Sequence, residues 1–265
     1  MRALLQISDA HFGTEQAPVV EALLQLSRSV QPDVVVLSGD ITQRARKSQF
    51  AAARAFSDQL NAAHLLAIPG NHDIPLFDVF SRVFRPYGNF SREFGRNLEP
   101  EVDIESALIL CLNTSRAKRH KDGEVSRDQI ERVRQRLLRA SARQVRIVVT
   151  HQPVHVIDDH DIPNLLYGRE DAVRAWSQAG ADIIMGGHIH LPHVRPLSDR
   201  FTNLPRRVWS VQAGTAVSHR VRDNAPNSVN IVRPHPSKCV VERWDYDAVS
   251  SAFRLQEQHA LELDR

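Results

Sequence analysis

Short apolar runs that stop abruptly at aspartate, asparagine or histidine are the feature that most narrows the fold of this chain. Six occur in the first 190 residues: ALLQIS over 3–8, DVVVLS over 33–38, LLAIP over 65–69, and further runs over 107–112, 145–149 and 181–185. Continuous Val/Leu/Ile runs of this length suit strands buried on both faces. Helical spacing fills the gaps. Pro18 opens a helix with Val19, Val20, Leu23, Leu24 and Leu26 on its apolar side, and Pro32 stops it. Ser48 is expected to cap the next helix, with Phe50, Ala53, Phe56 and Leu60 facing inward. Ser126 and Gln129 form a capping box ahead of Ile130, Val133 and Leu137, and 171–178 reads as another helix. Buried strands alternating with helices indicate an α/β fold. Open α/β sheets collect ligands beyond the carboxyl ends of their strands.

Five of the six runs end in residues able to hold a metal. They deliver Asp9 and His11, Asp40, Asn71 and His72, His151, and finally His188 and His190. In an extended segment, residues two apart share a side, so His188 and His190 can converge, as can Asp9 and His11. Either pair alone also suits a solvated loop. A solvated histidine, however, has no reason to recur at strand ends. The donors are oxygen and imidazole nitrogen without thiolate, a set suited to Mn, Fe, Zn or Ni as divalent ions. Asp9, His11, Asp40, Asn71, His151, His188 and His190 exceed what one tetrahedral site needs. Two divalent ions sharing a bridging carboxylate account for the number.

In order, Asp9-Ala10-His11, Gly39-Asp40, Gly70-Asn71-His72-Asp73, His151 and Gly187-His188-Ile189-His190 resemble the motifs of the calcineurin-like metallophosphoesterases. The resemblance covers residues 2 to about 215. It implies a single domain over 1–265, a four-layer α/β/β/α sandwich of two mixed sheets flanked by helices, with a helical insertion at about 75–105 and antiparallel strands at about 206–256. It also implies roles. Asp9, His11 and His190 would hold one ion, Asn71, His151 and His188 the other, and Asp40 would bridge them. Asn71 and His72 would meet the phosphate, and His72 would lie beyond direct coordination as a phosphate contact or general acid. The bound ions would activate water and neutralise the phosphoryl oxygens. The expected activity is metal-dependent phosphoester hydrolysis. The final strands resemble those of bacterial cyclic-nucleotide phosphodiesterases, so a cyclic nucleotide or similar small phosphodiester is the first expected substrate. Alternatives are a nucleotide- or lipid-linked pyrophosphate or phosphomonoester hydrolase, a nuclease, or a non-catalytic scaffold. A nuclease would be expected to carry an added nucleic-acid-binding module, and a scaffold would show degenerate ligands. One departure stands out. Where the protein-phosphatase branch carries an aspartate followed by arginine, this chain has Gln43 and Arg44. The carboxylate expected to orient His72 is missing, while Arg44 remains a candidate substrate contact.

The rest bounds the setting. With 42% apolar and 25% charged residues the chain is an ordinary globular one, and a net charge of +3 accepts anionic substrates without demanding nucleic acid. Cys111 and Cys239 read as small buried hydrophobes. No apolar run reaches the length of a membrane span, no targeting leader is evident, and the cytoplasm is the expected compartment. A homodimer is left open. The segment 74–100 carries Phe77, Phe80, Phe84, Phe90 and Phe94 at helical spacing and is expected to pack on itself. A second reading makes it a lid whose Arg82, Arg85 or Arg92 meets substrate. The loop with His155, Asp158, Asp159, His160 and Asp161 resembles a second metal site in composition, but no repeat spacing fixes it, and it reads as flexible and solvated. The charged tail after Gln256 is expected to end in a short helix.

Overall fold

Neighbouring residues of each buried strand go to opposite faces, and this builds the molecule in layers. The computed structural model describes residues 1–223, 225–235 and 238–264. One six-stranded sheet has the parallel strands β1 (Leu4–Ile7), β2 (Val34–Ser38) and β3 (His64–Ile68) at one side. The other sheet contains β4 (Glu101–Ile104), β5 (Ala107–Cys111), β6 (Val145–Val149), β7 (Ile183–Gly186), β8 (His193–Pro196) and β9 (Trp209–Gln212), in the order β4-β5-β6-β7-β9-β8. The first sheet is completed by the antiparallel β10 (Ser228–Pro234), β11 (Lys238–Asp247) and β12 (Ala252–Glu262), in the order β12-β11-β10-β1-β2-β3.

Between the sheets, Leu4, Val34, Val36 and Ile68 meet Ile109, Ile147, Val149, Met185 and Val211. The other face of the first sheet, Leu5, Ile7, Val35 and Leu37, packs on α1 (Ala17–Val30) and α2 (Lys47–Gln59) through Leu23, Leu26, Phe50 and Phe56. Leu108, Leu110, Val148 and Ile184 face α5 (Arg127–Leu138) and α6 (Arg169–Ala179), where Ile130, Val133, Leu137 and Trp176 are buried. Two mixed sheets flanked by helices form one α/β domain, as the run pattern and the resemblance anticipate. Both cysteines are buried.

Several local expectations change. Helix α2 starts one residue before Ser48, and Arg46 occupies its N-cap, so Ser48 is not the cap. The strands expected at about 206–256 are not all purely antiparallel: β9 pairs parallel to β7 and antiparallel to β8. The tail continues as strand β12 to Glu262, because Leu261 reaches the layer between the sheets. The phenylalanine-rich segment forms two short helices, α3 (Val79–Phe84) and α4 (Gly88–Phe94). Only α4 joins the core, with Phe90 edge-on to Phe50 at 6.1 Å. The loop after β6 is not simply solvated. Its 159–164 stretch is a 3-10 turn, His155 and Asp161 are buried, and Arg222 pairs with both Asp158 and Asp161.

Candidate metal centre

The parallel strands of both sheets end at one edge, and their following residues meet there. Main-chain bonds extend the strand pairing into the loops, from Asp9 N to Gly39 O at 3.1 Å, His11 N to Asp40 O at 3.0 Å and Gly187 N to His151 O at 2.8 Å. Beneath the centre, the buried Gln6 amide donates to Gly186 O at 3.0 Å and accepts from Asn230 at 2.9 Å, joining the two sheets.

Among the described residues three clusters result, each with ligand atoms within 4.8 Å of one another: Asp9, His11 and His190; His11, Asp40 and His72; Asp40, His151 and His188. Asp40 belongs to the second and third, and His11 to the first and second, so the three are joined. Asp40 Oδ2 is 3.8 Å from His11 Nε2, and its Oδ1 is 3.3 Å from His151 Nε2. Asp9 Oδ1 lies 3.4 Å from His190 Nε2 and 3.9 Å from His11 Nε2. These spacings are too long for optimal hydrogen bonds and suit donors arranged around a common centre.

The remaining bonds orient the donors. Asp9 Oδ2 accepts from Ser8 Oγ at 2.6 Å and from His188 N at 2.9 Å, leaving Oδ1 toward the imidazoles. His151 Nδ1 donates to Ser38 O at 2.9 Å, and His190 Nδ1 donates to Arg220 O at 2.7 Å. Each bond places a proton on Nδ1 and turns Nε2 toward the centre, the nitrogen a metal would take once it carries no proton. Asp9 Oδ1, Asn71 Oδ1, His151 Nε2 and His188 Nδ1 are buried without a hydrogen-bond partner. Orphaned buried polar atoms are costly, and a divalent cation bound among them would satisfy them together. The donor set therefore fits a divalent metal site.

Backbone strain marks the same positions. Asp9, His11, Asp40, His188 and His190 have φ of 51°, 45°, 48°, 74° and 59°. For residues with a Cβ this left-handed region costs about 1–2 kcal/mol each. Two glycines admit the donors. A Cβ on Gly70 would lie 2.1 Å from Asp40 Oδ1, and one on Gly187 would lie 2.6 Å from Asp9 Oδ2. Asp73 binds the loops together, accepting from Gly70 N at 2.9 Å, Ile41 N at 3.0 Å and Thr42 N at 2.8 Å.

Burial pushes His188 down to about 3, with His151 adding to the shift, and burial also lowers His11. For His151, burial acts downward, but the Asp40 carboxylate outweighs it and lifts the ring to about 9. Burial opposes ionisation of Asp40, yet His151 holds its carboxyl well below the usual range.

All seven expected ligands reach this edge, and His72 lies among them, its ring 4.8 Å from that of His11. The absent orienting carboxylate has a substitute: His72 Nδ1 donates to the main-chain carbonyl of Gln43 at 3.0 Å. Sequence reading missed Arg220. Its Nη1 is 3.2 Å from His72 Nε2 and 3.1 Å from Gln43 Oε1. It lies 30 residues past His190, outside every motif, and no local signal identifies it. Arg44 is exposed at the mouth, stacked 5.5 Å over Phe77. Arg82 turns inward to Pro75 O and Arg119 O, whereas Arg85 and Arg92 are exposed.

Two hollows flank the donors. One of about 40 Å³ is lined by Gln43, Arg44, Asn71, His72, Arg82 and His120 among others. One of about 310 Å³ is lined by Asp161, Asn164, His188, His190, Arg220 and Arg222 among others. Wider hollows of about 390 Å³ beside Arg136 and about 560 Å³ beside Gln144 contain none of the donors.

Residues 3–192 match the family described as calcineurin-like phosphoesterase. A comparison with curated proteins returned no matching sequence. Among solved structures, the chain resembles a dimetal phosphatase from Danio rerio, with TM-score 0.68 and 13% identity over 99% of both chains. It also resembles a purple acid phosphatase from yellow lupin (Lupinus luteus) seeds, with TM-score 0.70 and 14% identity over 98% of this chain and 53% of that one. This chain thus spans about half of the lupin protein. Vacuolar protein sorting 29 from Cryptosporidium parvum is similar at TM-score 0.52 and 12% identity, covering 98% of this chain and 97% of that one. At such identities these likenesses establish the fold alone, and a shared fold does not assign a function. The match over residues 3–192 carries the family, and this chain belongs to the calcineurin-like phosphoesterases, metal-dependent hydrolases of phosphoesters.

Proposed function

We propose that the chain hydrolyses a small phosphodiester at a centre of two divalent ions. Asp9, His11 and His190 would hold one, Asn71, His151 and His188 would hold the other, and Asp40 would be shared between them. The observation that carries this reading is the carboxylate of Asp40, whose two oxygens face His11 and His151 on opposite sides. When bound, such ions supply an activated water and neutralise charge on the phosphoryl group.

The side chains do the rest. The Asn71 amide and the Arg220 guanidinium bind the non-attacked phosphoryl oxygens, where negative charge grows. Arg220 Nη1 stands within hydrogen-bond reach of His72 Nε2 and occupies that nitrogen while the contact lasts. When Arg220 turns to a phosphoryl oxygen, His72 Nε2 is freed to take up a proton from solvent and pass it to the leaving oxygen. The Gln43 carbonyl keeps the ring aimed, in place of a carboxylate. The organic part of the substrate occupies the hollow of about 310 Å³ beside His188 and Arg220, which is the size of a small-ligand site. Cyclic nucleotides are the first substrates to try. They are supported by this volume and by the resemblance of the last strands to those of cyclic-nucleotide phosphodiesterases.

The test is hydrolysis of bis(p-nitrophenyl) phosphate and a panel of cyclic nucleotides by the Mn-loaded protein, with metal counted by elemental analysis. Two ions per chain and loss of turnover in Asp40→Asn with retained fold are expected. One ion per chain, or turnover unchanged by Asp40→Asn, overturns the two-ion reading. An inert cyclic-nucleotide panel beside active bis(p-nitrophenyl) phosphate hydrolysis overturns only the substrate.

A further inference from the structure

Helix α3 has no buried residue, although its outer side is wholly apolar. Phe77, Val79, Phe80, Val83 and Phe84 are 78%, 68%, 69%, 65% and 67% exposed. At helical spacing, 79, 80, 83 and 84 lie on one face, and the rings of Phe80 and Phe84 touch at 4.8 Å. The opposite side is anchored, because Arg82 donates to Pro75 O at 3.1 Å and Arg119 O at 2.8 Å. The helix is thus held with its apolar face outward. Together these side chains offer on the order of 500 Å² of apolar surface, at the upper end of what a monomer leaves in one patch.

Its surroundings are cationic. Arg44 stacks on Phe77, and Arg46 and Lys47 follow it in the chain, all exposed. Arg85 ends the helix, and the loop that receives Arg82 carries exposed Lys118 and Lys121. Fewer carboxylates stand nearby: exposed Asp78, which caps its own helix through Ser81, half-buried Asp122, and Glu124, which pairs with Arg119 and lies 3.9 Å from Lys118. A symmetric contact between two copies through this face would oppose like charges. An apolar patch in a basic ring instead complements an anionic bilayer, where burial and charge act together. The patch also borders the reactive edge, since Leu76 and Arg82 line the same hollow as Asn71 and His72.

We propose that α3 docks the protein on an anionic lipid surface. The test is co-sedimentation with vesicles of phosphatidylcholine alone or with 30% phosphatidylglycerol, beside turnover of bis(p-nitrophenyl) phosphate. The protein should sediment with the anionic vesicles and stay in solution with the neutral ones. Phe80→Glu combined with Phe84→Glu should cut partitioning at least tenfold and leave turnover of the soluble ester unchanged. Lys118→Glu with Lys121→Glu should weaken binding by a separate route, as should 0.5 M salt. Asp40→Asn should bind vesicles like the wild type, separating docking from catalysis. Wild-type protein left in the supernatant, or a Phe80/Phe84 variant that still sediments, overturns the docking. A wild-type dimer in sedimentation velocity that the Phe80/Phe84 variant loses, without vesicle binding, assigns the face to a second copy and overturns it as well.

Discussion

Gly187→Ala tests whether loop packing positions the metal donors. An added methyl would lie 1.9 Å from Ser8 Oγ and 2.6 Å from Asp9 Oδ2. To regain ordinary contact, which begins at 3.4 Å, Asp9 Oδ2 must retreat by about 0.8 Å. Ser8 cannot simply rotate away, because its hydroxyl is hydrogen-bonded to that same oxygen at 2.6 Å. His188 N holds the carboxylate from the other side at 2.9 Å. Metal–ligand distances tolerate only about 0.2 Å, so the displacement exceeds what Asp9 can absorb as a donor. Overpacking of this kind costs about 1–3 kcal/mol of stability, which a domain of this size survives. The expected result is a folded protein whose metal content falls from two ions toward one and whose kcat drops about 100-fold. Gly95→Ala is the control: its φ is 91° but nothing lies within 4 Å, so it should cost about 1 kcal/mol and leave metal and turnover alone. Metal is counted by plasma emission after gel filtration, and turnover is measured on bis(p-nitrophenyl) phosphate. A Gly187→Ala protein that keeps two ions and turns over within threefold of wild type refutes the reasoning.

Arg220→Ala should lower kcat by about 10²-fold with metal content unchanged, because a charged phosphoryl donor is lost while its main-chain carbonyl still holds His190; turnover within threefold of wild type rules that role out. Burial pushes His193 down to about 4, and His155 adds to the shift, so the unfolded chain binds the proton first and stability falls as pH drops from about 6.5 toward 4. Denaturant midpoints at pH 7 and 4.5 should show His193→Gln losing about 2–3 kcal/mol less than wild type over that interval, and equal losses would contradict the shift. Phe90→Ala should cost about 3–5 kcal/mol and Phe84→Ala less than about 0.5 kcal/mol, since Phe90 is fully buried and Phe84 is 67% exposed; similar costs in urea unfolding would mean that α3 packs like α4.

The strand runs were legible because a buried strand needs a short continuous apolar stretch. The donors were legible because each immediately follows such a stretch. Local rules therefore located Asp9, Asp40, His151 and His188 at strand ends before any contact was known. The same logic failed where a neighbour distant in sequence decides. Ser48 looked like a cap, yet the helix begins before it. The charged tail is a strand because β11 offers it an edge and Leu261 finds the layer between the sheets.

By itself the sequence determined the alternating strand and helix runs of an α/β fold and placed the candidate donors at strand ends, each of which depends on residues close together in the chain. Only the tertiary structure decided which oxygen of Asp40 faces which imidazole, that Arg220 reaches His72, and that α3 turns its phenylalanines outward while α4 buries Phe90. Spacing along the chain specifies which face of a helix is apolar. What covers that face is set by long-range packing, which no local pattern encodes.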